Sequence, residues 1–127
     1  MPTIEVIPSG QFPDLANLSV AQVGSGASTN IADRGGALGP ALLKITTTIG
    51  ATPTCTYAIE ISADGTAWLP AAYSDSATPT VASVATFVIT TAITAWKVVR
   101  AEIPWRFLRI TYSANTNVTN TVDIWTF

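Results

Sequence analysis

The sequence predicts an all-β protein, a jelly-roll-like antiparallel β-sandwich of about eight strands. No long segment has helical periodicity, and the β-branched residues Thr, Val and Ile, which favour strands, dominate the chain. Turn signals recur at short intervals between segments of alternating apolar and polar residues, which is the pattern of sandwiches and barrels. An immunoglobulin-like sandwich is the alternative, although the single cysteine excludes the paired cysteines of an antibody domain.

The composition predicts one domain with a largely neutral surface. The chain has 127 residues, of which 48% are hydrophobic and only 11% are charged, whereas about 25% of the residues of an ordinary soluble domain are charged. A neutral surface suits a protein that packs against other proteins. The net charge of −2 and the six scattered Lys and Arg residues predict neither a nucleic-acid nor a membrane partner. We also expect no membrane span and no signal peptide.

The N-terminal part divides into an arm and the beginning of the sandwich. Residues 1–16 contain three of the eight prolines and have little periodicity, so we expect an extended N-terminal arm. A single β-sandwich domain then covers residues 17–127. Alternating residues over 17–23 predict the first strand, and the Gly- and Ser-rich residues 24–40 predict a long loop.

The middle of the chain predicts two strong strands and a hairpin. Residues 41–49 and 54–62 alternate throughout, and the second segment directs four side chains toward the core. These are Cys55, Tyr57, Ile59 and Ile61. The dipeptide Asp64-Gly65 predicts a type I′ turn, because both central residues of that turn need positive φ. The return strand, over 66–72, is interrupted by Pro70 and is expected at an edge of a sheet.

The C-terminal part predicts four further strands. Three of them cover residues 81–93, 96–103 and 105–112. The fourth begins at Val118 and continues to the C-terminus, and a turn over residues 113–117 joins the last two.

These last two strands are apolar on both faces. Successive side chains of a strand point to opposite faces, so such strands need a cover on each side. One cover is the protein's own core, and the other is a second subunit, a chain arm, a partner or a loop of the same chain. If the last two strands pair, four aromatic side chains lie on one side of a sheet and predict a homo-oligomer, a dimer rather than a trimer. These interface residues are Trp105, Phe107, Trp125 and Phe127.

Residues that carry enzyme chemistry are scarce. The chain has no histidine, which removes the commonest general base and the commonest zinc ligand. The eight carboxylates are spread along the chain, and Cys55 is expected to be a small buried hydrophobic residue. The sequence therefore predicts a protein that is not an enzyme and that has no catalytic residue, metal or cofactor.

The motif Ser-x-Asp-Gly-Thr-x-Trp, which ends at Trp68, has two interpretations. In the first, which we favour, the Trp68 side chain covers the end of the sandwich. In the second, it is a stacking platform for a sugar.

Three arginines in the C-terminal half also have two interpretations. Arg100, Arg106 and Arg109 are expected to pair across strands with nearby carboxylates. The alternative is a clamp for a phosphate or for a partner's carboxylate. The carboxylates considered are Glu60, Glu102 and Asp123.

Four stretches, taken in order, resemble a known family. They are residues 27–33, with the pattern Ser-Thr-Asn-x-x-Asp, and residues 39–45, 59–65 and 107–112, the last of which reads Phe-Leu-Arg-Ile-Thr-Tyr. This order is similar to that of the capsid cement proteins of short-tailed phages, which are small jelly rolls. The resemblance covers residues 17–127 and excludes the arm. It implies a dimeric or trimeric protein on the outside of an icosahedral head.

We therefore expect a virion structural protein, a capsid cement or decoration protein that binds the major capsid protein and bridges its subunits. It would be made in the host cytoplasm and located on the capsid exterior. The alternative function is that of a carbohydrate-binding β-sandwich module on a phage tail or capsid surface.

Overall fold

A computed structural model describes residues 17–33, 39–100 and 105–126. These residues form nine strands and no helix, and all of the strand pairs are antiparallel. The all-β prediction is confirmed. The strands are β1 (Asn17–Gln22), β2 (Gly26–Ala27), β3 (Ala32–Asp33), β4 (Ala41–Ser62), β5 (Leu69–Pro70), β6 (Tyr73–Asp75), β7 (Phe87–Ile89), β8 (Thr94–Val99) and β9 (Phe107–Thr126).

Two long strands form the centre of the fold. β4 has 22 residues and β9 has 20, and they pair with each other along their whole length. One set of pairs runs from Ala41 opposite Thr126 to Ile49 opposite Val118. The other begins at Thr54 opposite Thr116. Every other strand is short and attaches to this central pair or to β8.

The central pair bends where its register shifts. Between the two sets of pairs, residues 50–53 of β4 lie opposite the single residue Asn117 of β9, which is a β-bulge and bends the strands. Thr52 and Asn117 have φ values of 43° and 54°, in the left-handed region that Asn tolerates better than most residues. The Asn117 side-chain amide donates a hydrogen bond of 2.7 Å to the Ala51 carbonyl and so fixes the bend.

The bend divides the sheet into two layers. The first layer has the strand order β1, β9, β4, β8 and β6, and uses residues 118–126 of β9 and 41–49 of β4. The second layer uses residues 107–116 of β9 and 54–62 of β4. It is flanked by β2 and β3 on one side and by β5 and β7 on the other.

The two layers face each other across one core. The Tyr57 hydroxyl, on the second layer, donates a hydrogen bond of 2.5 Å to the side-chain Oδ1 of Asn120 on the first. The Tyr112 hydroxyl, on the second layer, lies 2.8 Å from the Ser19 hydroxyl on the first. Contacts between residues so far apart along the strands require the sheet to fold over on itself. The largest buried apolar side chains between the layers are Leu18, Leu43, Ile45, Leu108, Ile110, Val118, Val122, Ile124, Tyr57 and Tyr112.

The predicted turn over residues 113–117 is wrong as a hairpin. The chain continues through it within one strand, and both parts of β9 pair with β4 rather than with each other. The predicted strands over 41–49 and 54–62 are likewise two parts of β4. A bulge and a turn have similar local sequences, and only the distant partner strand distinguishes them.

The predicted type I′ turn at Asp64-Gly65 is also wrong. Within this dipeptide only Gly65 has positive φ, at 81°, and the loop is longer than two residues, because Ile61 pairs with Leu69. The Ser62 hydroxyl accepts hydrogen bonds from the amides of Asp64 and Gly65, at 3.2 and 2.8 Å. These side-chain bonds satisfy the backbone of the loop in place of a tight hairpin.

Some predicted strands are shorter than expected. The return strand over 66–72 reduces to Leu69–Pro70, and the strand over 81–93 reduces to Phe87–Ile89. The arm at residues 1–16, parts of the 24–40 loop and of the 96–103 strand, and Phe127 lie outside the described residues.

Candidate interaction surfaces

The outer side of the first layer presents apolar side chains away from the core. Along β4, Leu42 and Lys44 alternate with the buried Leu43 and Ile45, and the same alternation continues on β8 and β9. The outward side chains, all half-buried, form a surface that we call the aromatic face. It consists of Leu42, Lys44, Trp96, Val98, Asp123 and Trp125.

Two tryptophans occupy the middle of the aromatic face. Trp96 pairs with Lys44, and Trp125 pairs with Leu42, so the two indoles approach each other over β4 from opposite sides. Their ring centroids are 5.9 Å apart, with an interplanar angle of 25°. Offset stacking of this kind is favourable between aromatic rings, and it holds the two indoles together at the surface of the layer.

The aromatic face has one cation and one anion, directly opposite each other in register. Lys44 and Asp123 are cross-strand partners. The Lys44 ammonium lies 5.6 Å from the centroid of the Trp96 ring and has no ion pair within the described part of the chain. Asp123 accepts a hydrogen bond of 2.6 Å from the Asn17 side-chain amide.

The outer side of the second layer is different in character, and we call it the charged face. Its central ion pair joins Arg109 Nε to Glu60 Oε1 at 2.8 Å, and the Thr111 hydroxyl donates to the same oxygen at 2.7 Å. The Arg109 guanidinium lies 4.2 Å above the Trp68 ring, a favourable cation–π geometry. The charged face comprises Glu60, Trp68, Arg106, Phe107, Arg109 and Thr111.

The expected cross-strand pairing is confirmed for Arg109, whose partner is Glu60. Arg106 forms an ion pair with Asp33 at 3.2 Å, and Arg100 donates to the Ser74 hydroxyl at 3.3 Å. Because Arg100 follows β8 of the first layer and Arg109 lies on the second, the three arginines do not form one cluster.

The structure does not bring the predicted aromatic interface residues together. Trp105 is only 5% exposed and belongs to the core. It precedes β9, so the alternation of that strand does not apply to it. Phe107 and Trp125 are half-buried on the outer sides of different layers, because the two parts of β9 do not pair with each other. Phe127 lies outside the described residues.

Leu42, Lys44 and Trp96 were missed as surface residues by the sequence-based prediction. The sequence of β8 carries a signal for this face, because Trp96 and Val98 point away from the buried Val99. Over residues 41–48 of β4, Leu42 is the one apolar residue at an outward position.

A buried polar network lies between the layers and includes the single cysteine. Asn120 is fully buried, accepts the Tyr57 hydrogen bond, and donates its side-chain amide to Cys55 Sγ at 3.7 Å. Burial raises the pKa of Cys55 and, more strongly, the pKa values of Tyr57 and Tyr112. Cys55 is therefore a protonated thiol in a packed interior, as predicted, and the network connects the two layers.

Asp64 is the clearest case of a stabilised carboxylate. Backbone amides of Ala67 and Thr66 donate to its Oδ1 at 2.9 and 2.8 Å, and these bonds, followed by that of Ser62, lower its pKa. The bonds hold the loop between β4 and β5.

Among the described residues, no cluster of three His, Cys, Asp or Glu side chains could hold a metal ion.

The lateral edges of the first layer are covered by loops. On the β1 side, the Asn30 amide donates to the Leu18 carbonyl at 3.0 Å, and the Asn30 side chain donates to the Asn17 carbonyl at 3.2 Å. On the β6 side, Tyr73 and Ser83 exchange two backbone hydrogen bonds, of 2.9 and 2.8 Å. Covered edges oppose the addition of another strand, so the faces are the larger surfaces open to a partner.

A cleft of about 460 Å³ lies beside the bend of the central strands. None of the described residues that line it is charged, so these residues offer a ligand no ion pair. The lining residues are Val23, Thr48, Ile49, Gly50, Asn117, Val118 and Thr119.

In the part of the chain that the structure describes, no helix is long and apolar enough to cross a membrane.

The fold and the surfaces define an antiparallel β-sandwich with one aromatic and one charged outer face. No family model and no curated protein matches the chain. A solved structure with a similar fold is that of the SPBc2 prophage-derived protein YomS. The similarity has a TM-score of 0.62 and covers 87% of this chain and 89% of that chain. The sequence identity is 7%, and the comparison therefore establishes the fold alone.

Proposed function

We propose that the protein is a bacteriophage structural protein, and more specifically a capsid cement protein that binds the outer surface of the head. The observation that carries the proposal is the fold, which is similar over 87% of the chain to that of a prophage-derived protein. The sequence resemblance to capsid cement proteins, over residues 17–127, supports the finer assignment.

The surface is suited to contacts with other proteins. A cement protein adds contact area between capsid subunits, and each standard-size contact buries about 1,600 Å² in total. The aromatic face supplies half-buried Trp side chains, a residue type enriched in protein interfaces. The low charge of the chain, 11% of its residues, reduces the cost of removing water from polar groups when a large surface is covered.

The direct experiment is binding to empty heads of the phage that encodes the chain. We expect the protein to co-sediment with the heads, to saturate at a fixed ratio to the major capsid protein, and to raise the temperature at which the heads break. Binding that never saturates, or no binding at all, would contradict a cement function.

The sequence predicts an extended arm at residues 1–16, and we expect it to contribute to this attachment, because a segment of that kind gains order when it lies on a partner. Removal of residues 1–16 should leave a folded sandwich, as measured by circular dichroism, with weaker attachment to heads. An unfolded truncated protein would instead assign the arm to the core.

The carbohydrate-binding alternative depends on an aromatic platform, and for Trp68 one side of the ring is already covered by the Arg109 guanidinium. We therefore expect Trp68→Ala to change stability rather than glycan binding. Strong hits on a glycan array that disappear in Trp68→Ala, together with no binding to heads, would favour the alternative.

A further inference from the structure

We propose that two copies of the chain associate through their aromatic faces, about a two-fold axis that runs parallel to the strands above the boundary between β4 and β9. The inference does not depend on capsid binding. A dimer that does not bind heads, or a monomer that does, would separate the two proposals.

The two lateral edges of the first layer are covered by loops of the same chain. Loops already bond to the outer strands β1 and β6 through Asn30 and Ser83, so the layer is not extended sideways by another copy. Self-association through the first layer is therefore expected to use its outer face, which has stacked indoles at its centre.

The apolar part of the face is contiguous. Leu42 pairs with Val98 on one side and with Trp125 on the other, and Trp96 stacks on Trp125 across them. Clustered aromatic anchors in the middle of a patch are typical of the residues that dominate binding energy in protein interfaces.

The charges of the face determine the partner. An apolar surface that includes the Lys44 ammonium, without an ion pair in the described residues, fits a partner that supplies a carboxylate within its own apolar surface. A second copy of the same face does so, because Asp123 lies in the same row as Lys44. Asp123 accepts one hydrogen bond, from Asn17, so its carboxylate keeps capacity to accept another.

The position of the axis follows from the register. A two-fold rotation about a line parallel to the strands, above the β4–β9 boundary, places β4 of one copy over β9 of the other at the same level. Because Lys44 is opposite Asp123 and Leu42 is opposite Trp125 within one chain, Lys44 of each copy then faces Asp123 of the other. Leu42 of each copy likewise faces Trp125 of the other. The contact is isologous, so each pairing occurs twice.

Charge reversal tests this arrangement. Lys44→Glu places two carboxylates opposite each other in both copies of the pairing, and Asp123→Lys places two ammonium groups there. We expect each variant alone to weaken self-association by about tenfold or more.

An equimolar mixture of the two variants should restore dimers. In the mixed dimer the introduced glutamate of one copy faces the introduced lysine of the other, and the native Asp123 of the first faces the native Lys44 of the second. Sedimentation velocity measures both the loss and the restoration of dimers, and distinguishable tags show whether the restored species contains both variants.

Two further variants complete the experiment. Thr56→Glu, on β4 but on the outer side of the second layer, is the matched charge control and should dimerise like the wild type. Trp125→Ser should give monomers with an unchanged β-sheet circular-dichroism spectrum. This variant tests the same face without a change of charge, so the proposal can still be tested if a charge variant fails to fold. A monomeric wild type at a concentration on the order of tens of micromolar overturns the proposal. Folded Lys44→Glu protein that dimerises normally, or a mixture that stays monomeric, overturns it as well.

Discussion

The two outer faces of this sandwich are built on the same two strands and differ in how their charges are satisfied. On the charged face, Arg109 is paired with Glu60, which also accepts from Thr111, and its guanidinium lies over Trp68. On the aromatic face, Lys44 lies over Trp96 without an ion pair in the described residues. The Arg109 charge is therefore paired within one chain, whereas we propose that a second copy supplies the partner of Lys44.

The inner sides of the same two layers do not differ in this way. Alternate residues of β4 and β9 are buried along both layers, and Tyr57 and Tyr112 connect each layer to the other. Substitutions on the inner sides should therefore have similar effects in both layers, and substitutions on the outer sides should have different effects.

The largest expected effect tests the equivalence of the inner sides. Ile45→Ala in the first layer and Ile59→Ala in the second each remove a buried side chain, and each should lower the free energy of unfolding by about 2–5 kcal/mol. Urea denaturation measures both. Because the layers share one core, each variant should retain a single cooperative transition. Two separate transitions in either variant would mean that the layers are independent.

A smaller effect is expected for the hydrogen bonds between the layers. Tyr57→Phe leaves the buried side-chain Oδ1 of Asn120 without this donor and should lower the free energy of unfolding by about 1–3 kcal/mol. Tyr112→Phe should cost less, because the Ser19 hydroxyl still donates to Gln22 at 2.7 Å. The same denaturation experiment compares the two variants. A larger loss of unfolding free energy in Tyr112→Phe would mean that the Tyr112–Ser19 contact, and not the Tyr57–Asn120 hydrogen bond, contributes more to holding the layers together.

The outer tryptophans should separate the two faces. Trp68→Ala removes the ring beneath Arg109 and should destabilise the protein by about 0.5–1 kcal/mol, the range for an exposed cation–π contact, at every protein concentration. Trp125→Ala should lower the melting temperature more at high than at low protein concentration, because association adds to apparent stability by mass action. Equal concentration dependence in the two variants would remove the distinction between the faces.

The smallest effect concerns the loop that borders the charged face. Amide hydrogen bonds lower the pKa of Asp64 in the folded state. The Asp64 carboxylate therefore stabilises the fold at pH values above the pKa that it has in the unfolded chain. This contribution is lost as the pH falls through the pKa of the folded state. Asp64→Asn should therefore be slightly less stable than the wild type at neutral pH. The difference in stability between the two proteins should shrink as the pH falls through the folded-state pKa of Asp64, and a difference that grows as the pH falls would contradict this sign.

Much of the core could be predicted from the sequence because strand alternation is a local property. The four residues expected on the inner side of the segment over 54–62 are all buried. The first strand was predicted over 17–23 and is observed over Asn17–Gln22. Opposite charges on outward positions of strands tend to meet across a sheet, and Glu60 is one of three carboxylates that the sequence offers the arginines. The register of β4 against β9 selects Glu60 as the partner of Arg109.

Strand alternation in the sequence is enough to show which side chains of each strand point inward and that the last strands carry apolar residues on both sides. Which of the outward apolar residues lie together depends on the three-dimensional fold. The register of β4 against β9 and the bulge at Asn117 separate Phe107 from Trp125 and bring Trp96 to Trp125 instead. The physical reason is that alternation depends on neighbours along the chain, whereas register and bending depend on a partner strand tens of residues away.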